Sequence, residues 1–141
     1  MITTRGRYAL QIFIDLAEHE SDGYISLKSI AERQNLPKKY LEQIVPVLVK
    51  EKMIDGAHGK GGGYRLNRPP EQYNVGDILR LTEGGLVAVT CFDRKPEDCP
   101  HANECKTHSM WERYQDMTNR FFDGITVADL IKEPGLFQSK E

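Results

Sequence analysis

The sequence has no apolar run that approaches the roughly 20 residues of a membrane-spanning helix, so an integral membrane protein is not expected. Its first residues, MITTRGRYAL, carry arginines but no apolar stretch followed by a small-residue cleavage site. No export signal is expected, and the expected compartment is the cytoplasm. Charge of one sign is also scarce. Against 19 Lys and Arg stand 21 Asp and Glu, a formal charge of −2, which excludes an indiscriminate polyanion binder. Cysteine is rarer still, with three in the chain, an odd number that cannot all pair. There is no C-x-x-C pair, the usual mark of thiol-redox catalysts and of zinc knuckles. The glycine-rich stretch HGKGGG lacks a Ser or Thr after its lysine, so a Walker-type phosphate loop is excluded. The dinucleotide pattern fails as well, because Tyr64 occupies the last glycine position.

What the chain does contain is uneven in sign and in periodicity. Residues 1–65 hold ten basic and eight acidic side chains, and residues 66–141 hold nine and thirteen. The front is mildly basic and the back acidic, so any DNA binding must rest on local geometry or dimerisation. At 141 residues and 28% charged, the chain is one domain, or one small domain with an added arm.

The first segment, TTRGRYALQIFIDLAEH, reads as a helix with Tyr8, Leu10, Ile12, Phe13, Ile14 and Leu16 on a broad apolar face, capped by Thr3 or Thr4. SDGY breaks it. Next, ISLKSIAERQNLPKKYLEQIVPVLVKEKMI reads as two helices around the turn QNL. Ser26 caps the first, Pro37 sits in the first turn of the second, and Leu41, Ile44 and Leu48 follow at helical spacing. That is a helix-turn-helix pattern. Pro46 removes the amide that would bond the Glu42 carbonyl, so a kink or an end is expected there. Extended runs at Met53–Asp55 and Tyr64–Leu66 flank five glycines and read as a β-hairpin with a basic tip, which is a wing. A short helix follows, opened near Asn74 and carrying Ile78, Leu79 and Leu81. From about Asn103 a long helix is expected, with Met110, Tyr114, Met117 and Phe121 forming a heptad-like seam. That seam either packs on its own domain or, the preferred reading, forms a dimer interface. A closing helix starts at Thr126, and the tail PGLFQSKE is expected to be loose. The expected fold is mainly α with a small β-hairpin. It divides into a winged helix-turn-helix DNA-binding domain over 1–82, a loop over 83–102, and a long dimerisation helix with a C-terminal helix over 103–141.

All three cysteines fall in CFDRKPEDCPHANECKTHSMW, where Pro96 and Pro100 make the first half loop-like. Cys105 and His108 lie three apart, on one face if both are helical, and Cys91 and Cys99 sit on the preceding loop. Three thiolates and an imidazole make four soft ligands, a count that fits structural zinc or an iron–sulfur cluster. The wide spacing suits an object larger than one ion. His101 is a rival ligand, and three unligated thiols are the plain alternative. Glu104 is the one obvious general base near a catalytic zinc, so an enzyme is not expected.

The stretches TTRGRYAL, SLKSIAERQNLPKKYLEQ, GKGGGYRL, VGDILRLTEG and CKTHSMW, in this order over residues 3–111, resemble the Rrf-two family of bacterial winged-helix transcription factors, and especially its IscR-like iron–sulfur branch. The resemblance implies a homodimer with crossed long helices, a wing on each subunit and a cluster near the dimer interface. The function it implies is an iron–sulfur-sensing transcriptional regulator, a repressor, of cluster-assembly or iron and redox genes. The first two cysteines are separated by seven residues here and by five in the closest branch members. Wider spacings occur in relatives that look like nitric-oxide or iron sensors with a 4Fe–4S cluster, some of which take a carboxylate from the first helix. Here that region, GRYALQI, has none before Asp15. This favours Cys91, Cys99, Cys105 and His108 as ligands of a 2Fe–2S cluster, with 4Fe–4S or a structural Cys3His zinc site as alternatives. The thiol-sensing branch lacks this three-cysteine cluster.

Contacts to the double-stranded DNA of a palindromic operator follow from the same placement. Arg5 and Arg7 resemble the family's phosphate contacts. Lys28, Lys38 and Lys39 stand at helix starts, where backbone amides add to the pull on phosphate. Lys39, Tyr40, Glu42 and Gln43 form the expected base-facing set, since Gln reads adenine and Glu accepts from cytosine. Glu42 is either a discriminator between sites or a solvated charge. His58 and Lys60 at the hairpin tip are expected in the minor groove, where relatives often have Arg at the His58 position.

Overall fold

Helix α1 (Thr4–Glu18) begins where Thr3 turns extended and its side chain accepts from the Arg5 amide. It buries Ala9, Ile12, Phe13 and Leu16 on one stripe and becomes the spine of the domain. The computed structural model describes residues 2–87, 89–92, 99–101, 103–132 and 135. Pro96 and nearly all of the tail PGLFQSKE fall outside that set.

Helices α2 (Leu27–Gln34) and α3 (Lys38–Lys50) form the helix-turn-helix. Ser26 caps α2 by accepting from the Ser29 amide at 3.1 Å. Asn35 ends it in the left-handed region at φ 53°, which asparagine tolerates, and the Leu36 amide bonds back to the Ala31 carbonyl at 2.9 Å. Pro37 stands at the N-cap of α3, one position before the first turn. Of the kink or end expected at Pro46, the end does not occur, and the helix runs on to Lys50. Pro46 and Glu42 are both exposed, so the carbonyl left without its amide faces solvent and the loss is small.

The wing is an antiparallel pair, β1 (Ile54–Ala57) with β2 (Gly63–Leu66), in the register Ile54 to Leu66 and Ala57 to Gly63. Gly59 and Gly61 at φ 86° and 78° make the tip turn. A second pairing joins Ile25 and Tyr64, with both amide–carbonyl bonds at 2.8 Å. A Cβ on Gly63 would overlap the Ile25 carbonyl, so glycine there lets the wing dock beside the start of α2.

Helix α4 (Val75–Glu83) is capped by Asn74, which accepts from the Asp77 amide at 2.7 Å. Helix α5 (His108–Asp123) and the short helix α6 (Val127–Lys132) complete the fold, with Thr126 and Asp129 bonding each other's amides ahead of α6. The main core joins α1, α2, α3, β1, Tyr73 and Val127, and a smaller one gathers Val75, Leu79 and Ile125 against Phe122 and Leu130. Each fully buried Leu or Ile contributes about 2 kcal/mol by leaving water. Among the described residues no helix is long and apolar enough to cross a membrane.

Two ion pairs fix the angles between helices. Asp15 on α1 is fully buried and receives Arg33 through two bonds of 2.9 and 2.7 Å, plus Gln34 Nε2 at 3.1 Å. Arg80 on α4 grips Asp123 on α5 through bonds of 2.7 and 2.9 Å. Each arginine is held above its ordinary pKa, first by the hydrogen bond to its carboxylate. Breaking a buried pair from one side strands the other charge. Arg33→Met is therefore expected to cost about 3 kcal/mol in urea unfolding, and a loss well under that would show the pair to be dispensable.

Candidate DNA interface and cysteine segment

The exposed face of α3 is set by its buried one. Leu41, Ile44, Val45 and Leu48 point into the core, which leaves Lys38, Lys39, Glu42 and Gln43 exposed. Tyr40, the remaining member of the expected base-facing set, is half-buried. It lies four residues before Ile44, at the edge of the buried stripe. Its half-buried ring packs edge-on against Tyr8 of α1, with centroids 5.3 Å apart. Glu42 lies 3.9 Å from Lys38 one turn back. Both ends are more than half exposed, so this pair is weak and leaves the carboxylate available.

Around α3 the structure collects the other basic residues. Lys28 is exposed in the first turn of α2, 4.0 Å from Glu32. Arg5 is half-buried and Arg7 exposed in the first turn of α1, and the Tyr8–Tyr40 contact sets that turn against the start of α3. His58 and Lys60 are exposed at the wing tip. Arg65, which the sequence reading did not single out, stacks over Tyr24 at 4.4 Å and braces the strand against the turn before α2.

The cysteine segment is only partly gathered. Cys91 lies in the short 3-10 turn Thr90–Phe92 and is exposed, Cys99 is half-buried and Cys105 is exposed. All three are free thiols. The Phe92 ring packs on the His108 imidazole with centroids 5.5 Å apart. The neighbour of the first thiol thus touches the fourth expected ligand. Among the described residues, no three His, Cys, Asp or Glu side chains stand together as a metal site. The donor set still fits a soft metal centre, being three accessible thiols and one imidazole on a segment whose ends already meet.

The expected helix start at Asn103 is corrected. Residues 103–107 form turns, and α5 opens at His108, so Cys105 precedes the helix and shares no helical face with His108. The reason is local. Thr107 occupies the N-cap but its hydroxyl caps no amide, lying instead 3.4 Å from Cys105 Sγ. That hydroxyl, then the Thr107 amide, holds the Cys105 thiol below its ordinary pKa. The rival ligand His101 and the candidate base Glu104 are both exposed, joined by a turn in which the Glu104 amide bonds the His101 carbonyl at 3.0 Å.

Met110, Tyr114, Met117 and Phe121 are each 53 to 61% exposed along α5. Within the chain Phe121 meets Phe122 with ring centroids 5.2 Å apart, and Tyr114 meets Trp111 at 6.3 Å. With Ile2, Leu86 and Val87, the side chains of Tyr114, Met117 and Phe121 edge an open apolar groove.

A helix-turn-helix, a docked hairpin and basic side chains at three helix starts define a winged-helix regulator of transcription. The chain belongs to the Rrf2 family, described as iron-dependent transcriptional regulators, whose model matches residues 2–133. It is 33% identical to the HTH-type transcriptional regulator IscR of Aliivibrio salmonicida over 92% of this chain and 76% of that one. Two solved structures resemble it equally in fold. IscR of T. potens is 37% identical with a TM-score of 0.76, covering 100% of this chain and 93% of that one. CymR, the global cysteine regulator of B. subtilis, is 36% identical with a TM-score of 0.76, covering 94% and 96%.

The split between reading and packing positions on α3 is measurable. Lys39→Ala and Gln43→Ala are expected to weaken duplex binding while changing stability by less than about 0.5 kcal/mol. Tyr40→Ala is expected to cost about 2 kcal/mol or more through the lost Tyr8 contact. Fluorescence anisotropy and thermal melting on the same samples check both, and a Tyr40→Ala variant of unchanged stability would contradict the assignment.

Proposed function

We propose that this chain represses transcription as a homodimer whose grip on a palindromic operator responds to an iron–sulfur cluster held by Cys91, Cys99, Cys105 and His108. The observation that carries the reading is the concentration of three free thiols and an imidazole in one segment leading into α5, with its ends in contact through Phe92 and His108. Similarity to the two IscR proteins supports the cluster, and the lack of an Asp or Glu before Asp15 in the first helix favours His108 as fourth ligand and the 2Fe–2S form. A 4Fe–4S cluster and a structural zinc ion are the alternative occupants. When bound, a cluster supplies a removable, redox-active cross-link between the loop and the start of α5.

The chain's own groups supply the rest. The Thr107 hydroxyl and amide hold the Cys105 thiol below its ordinary pKa, which favours the thiolate that ligates metal. The exposed apolar residues of α5 bury against those of a second copy, which places two α3 helices for two operator half-sites. Arg5, Arg7, Lys28 and Lys38 hold phosphate, Lys39, Glu42 and Gln43 face bases, and His58 and Lys60 enter the minor groove. The groups expected under this control are cluster-assembly or iron and redox genes, in the cytoplasm.

A second reading is favoured by the equal likeness to CymR. In it the same fold reports on cysteine supply and the three thiols hold no cluster.

An anaerobic visible spectrum of freshly purified protein, with iron, sulfide and zinc assayed on the same sample, separates these. The expected result is a coloured protein with near-equal iron and sulfide, lost on replacing the three cysteines by serine. A colourless sample holding about one zinc per chain would assign the cysteines a structural role. A metal-free sample that stays colourless after reconstitution would overturn the cluster and leave the cysteine-supply reading.

A further inference from the structure

The first turn of α1 is held by a carboxylate from the far end of α4. Glu83 Oε1 accepts from the Thr3 amide at 2.7 Å and from the Gly6 amide at 3.0 Å. The Thr3 hydroxyl lies 3.0 Å from both carboxylate oxygens. Helix N-termini leave amides without intrahelical partners, and a negative charge there is favoured by the helix dipole. The fit is close, since a Cβ on Gly6 would overlap the Glu83 carboxylate. Glycine at position 6 is thus explained by the approach of α4. Thr3 itself passes the order inward by accepting from the Arg5 amide at 3.2 Å.

This turn carries Arg5 and Arg7, and Arg7 Nη2 donates to Thr4 Oγ1 at 3.2 Å within it. The next residue, Tyr8, touches Tyr40 at the start of α3. We propose that Glu83 is a positioning residue for DNA binding, fixing the first turn of α1 so that Arg5 and Arg7 meet the phosphate backbone in register with α3. The proposal rests on the reading of Arg5 and Arg7 as phosphate contacts. Elementary electrostatics opposes it in sign. A carboxylate beside two phosphate-binding arginines is a like charge to DNA, so its removal by Coulomb's law alone would tighten binding. Positioning requires the opposite.

The test measures binding to a random-sequence 30-bp duplex by anisotropy at several salt concentrations, with thermal melts alongside. The samples are the full chain, Glu83→Ala, Glu83→Gln, the pair Arg5→Ala/Arg7→Ala, and the combination of that pair with each Glu83 variant. Glu83→Ala is expected to weaken binding about tenfold and Glu83→Gln about threefold, the amide retaining one acceptor oxygen. Both are expected to flatten the salt dependence, as lost phosphate contacts do. In the arginine-free background either change should cost less than about twofold, because the effect acts through those side chains. The melting temperature should fall in both backgrounds. Unchanged or tighter binding of the Glu83 variants overturns the proposal, and so does the same tenfold loss without the arginines. If the arginine pair alone binds as the parent does, the phosphate role of Arg5 and Arg7 fails and the proposal falls with it. Should Glu83→Ala not fold, Glu83→Gln carries the same sign test.

Discussion

The Asp15 carboxylate is the constraint on which the DNA-facing surface depends. It lies fully buried on α1, and it is tolerable there because Arg33 and Gln34 supply three hydrogen bonds from the end of α2. That geometry fixes where α2 ends, hence where the Asn35 turn falls, hence the direction in which α3 leaves. The wing inherits the same frame, because Tyr64 pairs with Ile25 just ahead of the Ser26 cap. A buried ion pair adds little net stability over an apolar pair of the same volume, but it admits fewer arrangements. For a protein that must present three elements to one duplex, that selectivity is the useful property.

Helix α5 is attached to this frame through polar contacts on α4. Arg80 holds Asp123 and so ties α5 to α4, and a Cβ on Gly76 would overlap that same Asp123 carboxylate. At its other end α4 delivers Glu83 to the start of α1 and then leaves through Gly84 and Gly85, both with positive φ, toward Cys91. Helix α4 therefore touches the long helix α5 and the first turn of α1, and it leads toward the cysteine segment. A change in that segment affects DNA only if it favours one arrangement of these contacts over another.

Local chemistry was legible in the sequence and distant chemistry was not. The caps at Ser26, Asn74 and Thr126, the left-handed Asn35 and the glycine-rich wing tip are written within four residues of where they act. The start of α5 was placed too early, at Asn103, because the apolar spacing does not show that turns precede the Thr107 N-cap. The end allowed for at Pro46 did not follow, and sequence alone does not say that Pro46 and Glu42 are both exposed. The contact between Tyr40 and Tyr8 was not legible because the two rings are on different helices. Asp15 with Arg33, and Glu83 with Gly6, were invisible for the same reason, their partners lying 18 and 77 residues away. The four expected cluster ligands were legible as a donor set from their types and spacing, while their distances from one another were not.

The central claim is that the state of the cysteine segment sets affinity for DNA. The direct measurement takes a duplex selected in vitro by the anaerobically purified protein and titrates it with that protein, with the same sample after chelation, and with the triple Cys→Ser variant. The account predicts that the chelated and triple-serine proteins agree with each other and differ from the intact one by about tenfold or more, the range of coupling a two-state switch needs. Equal affinity in all three would contradict it, and would leave a winged-helix regulator whose signal enters elsewhere.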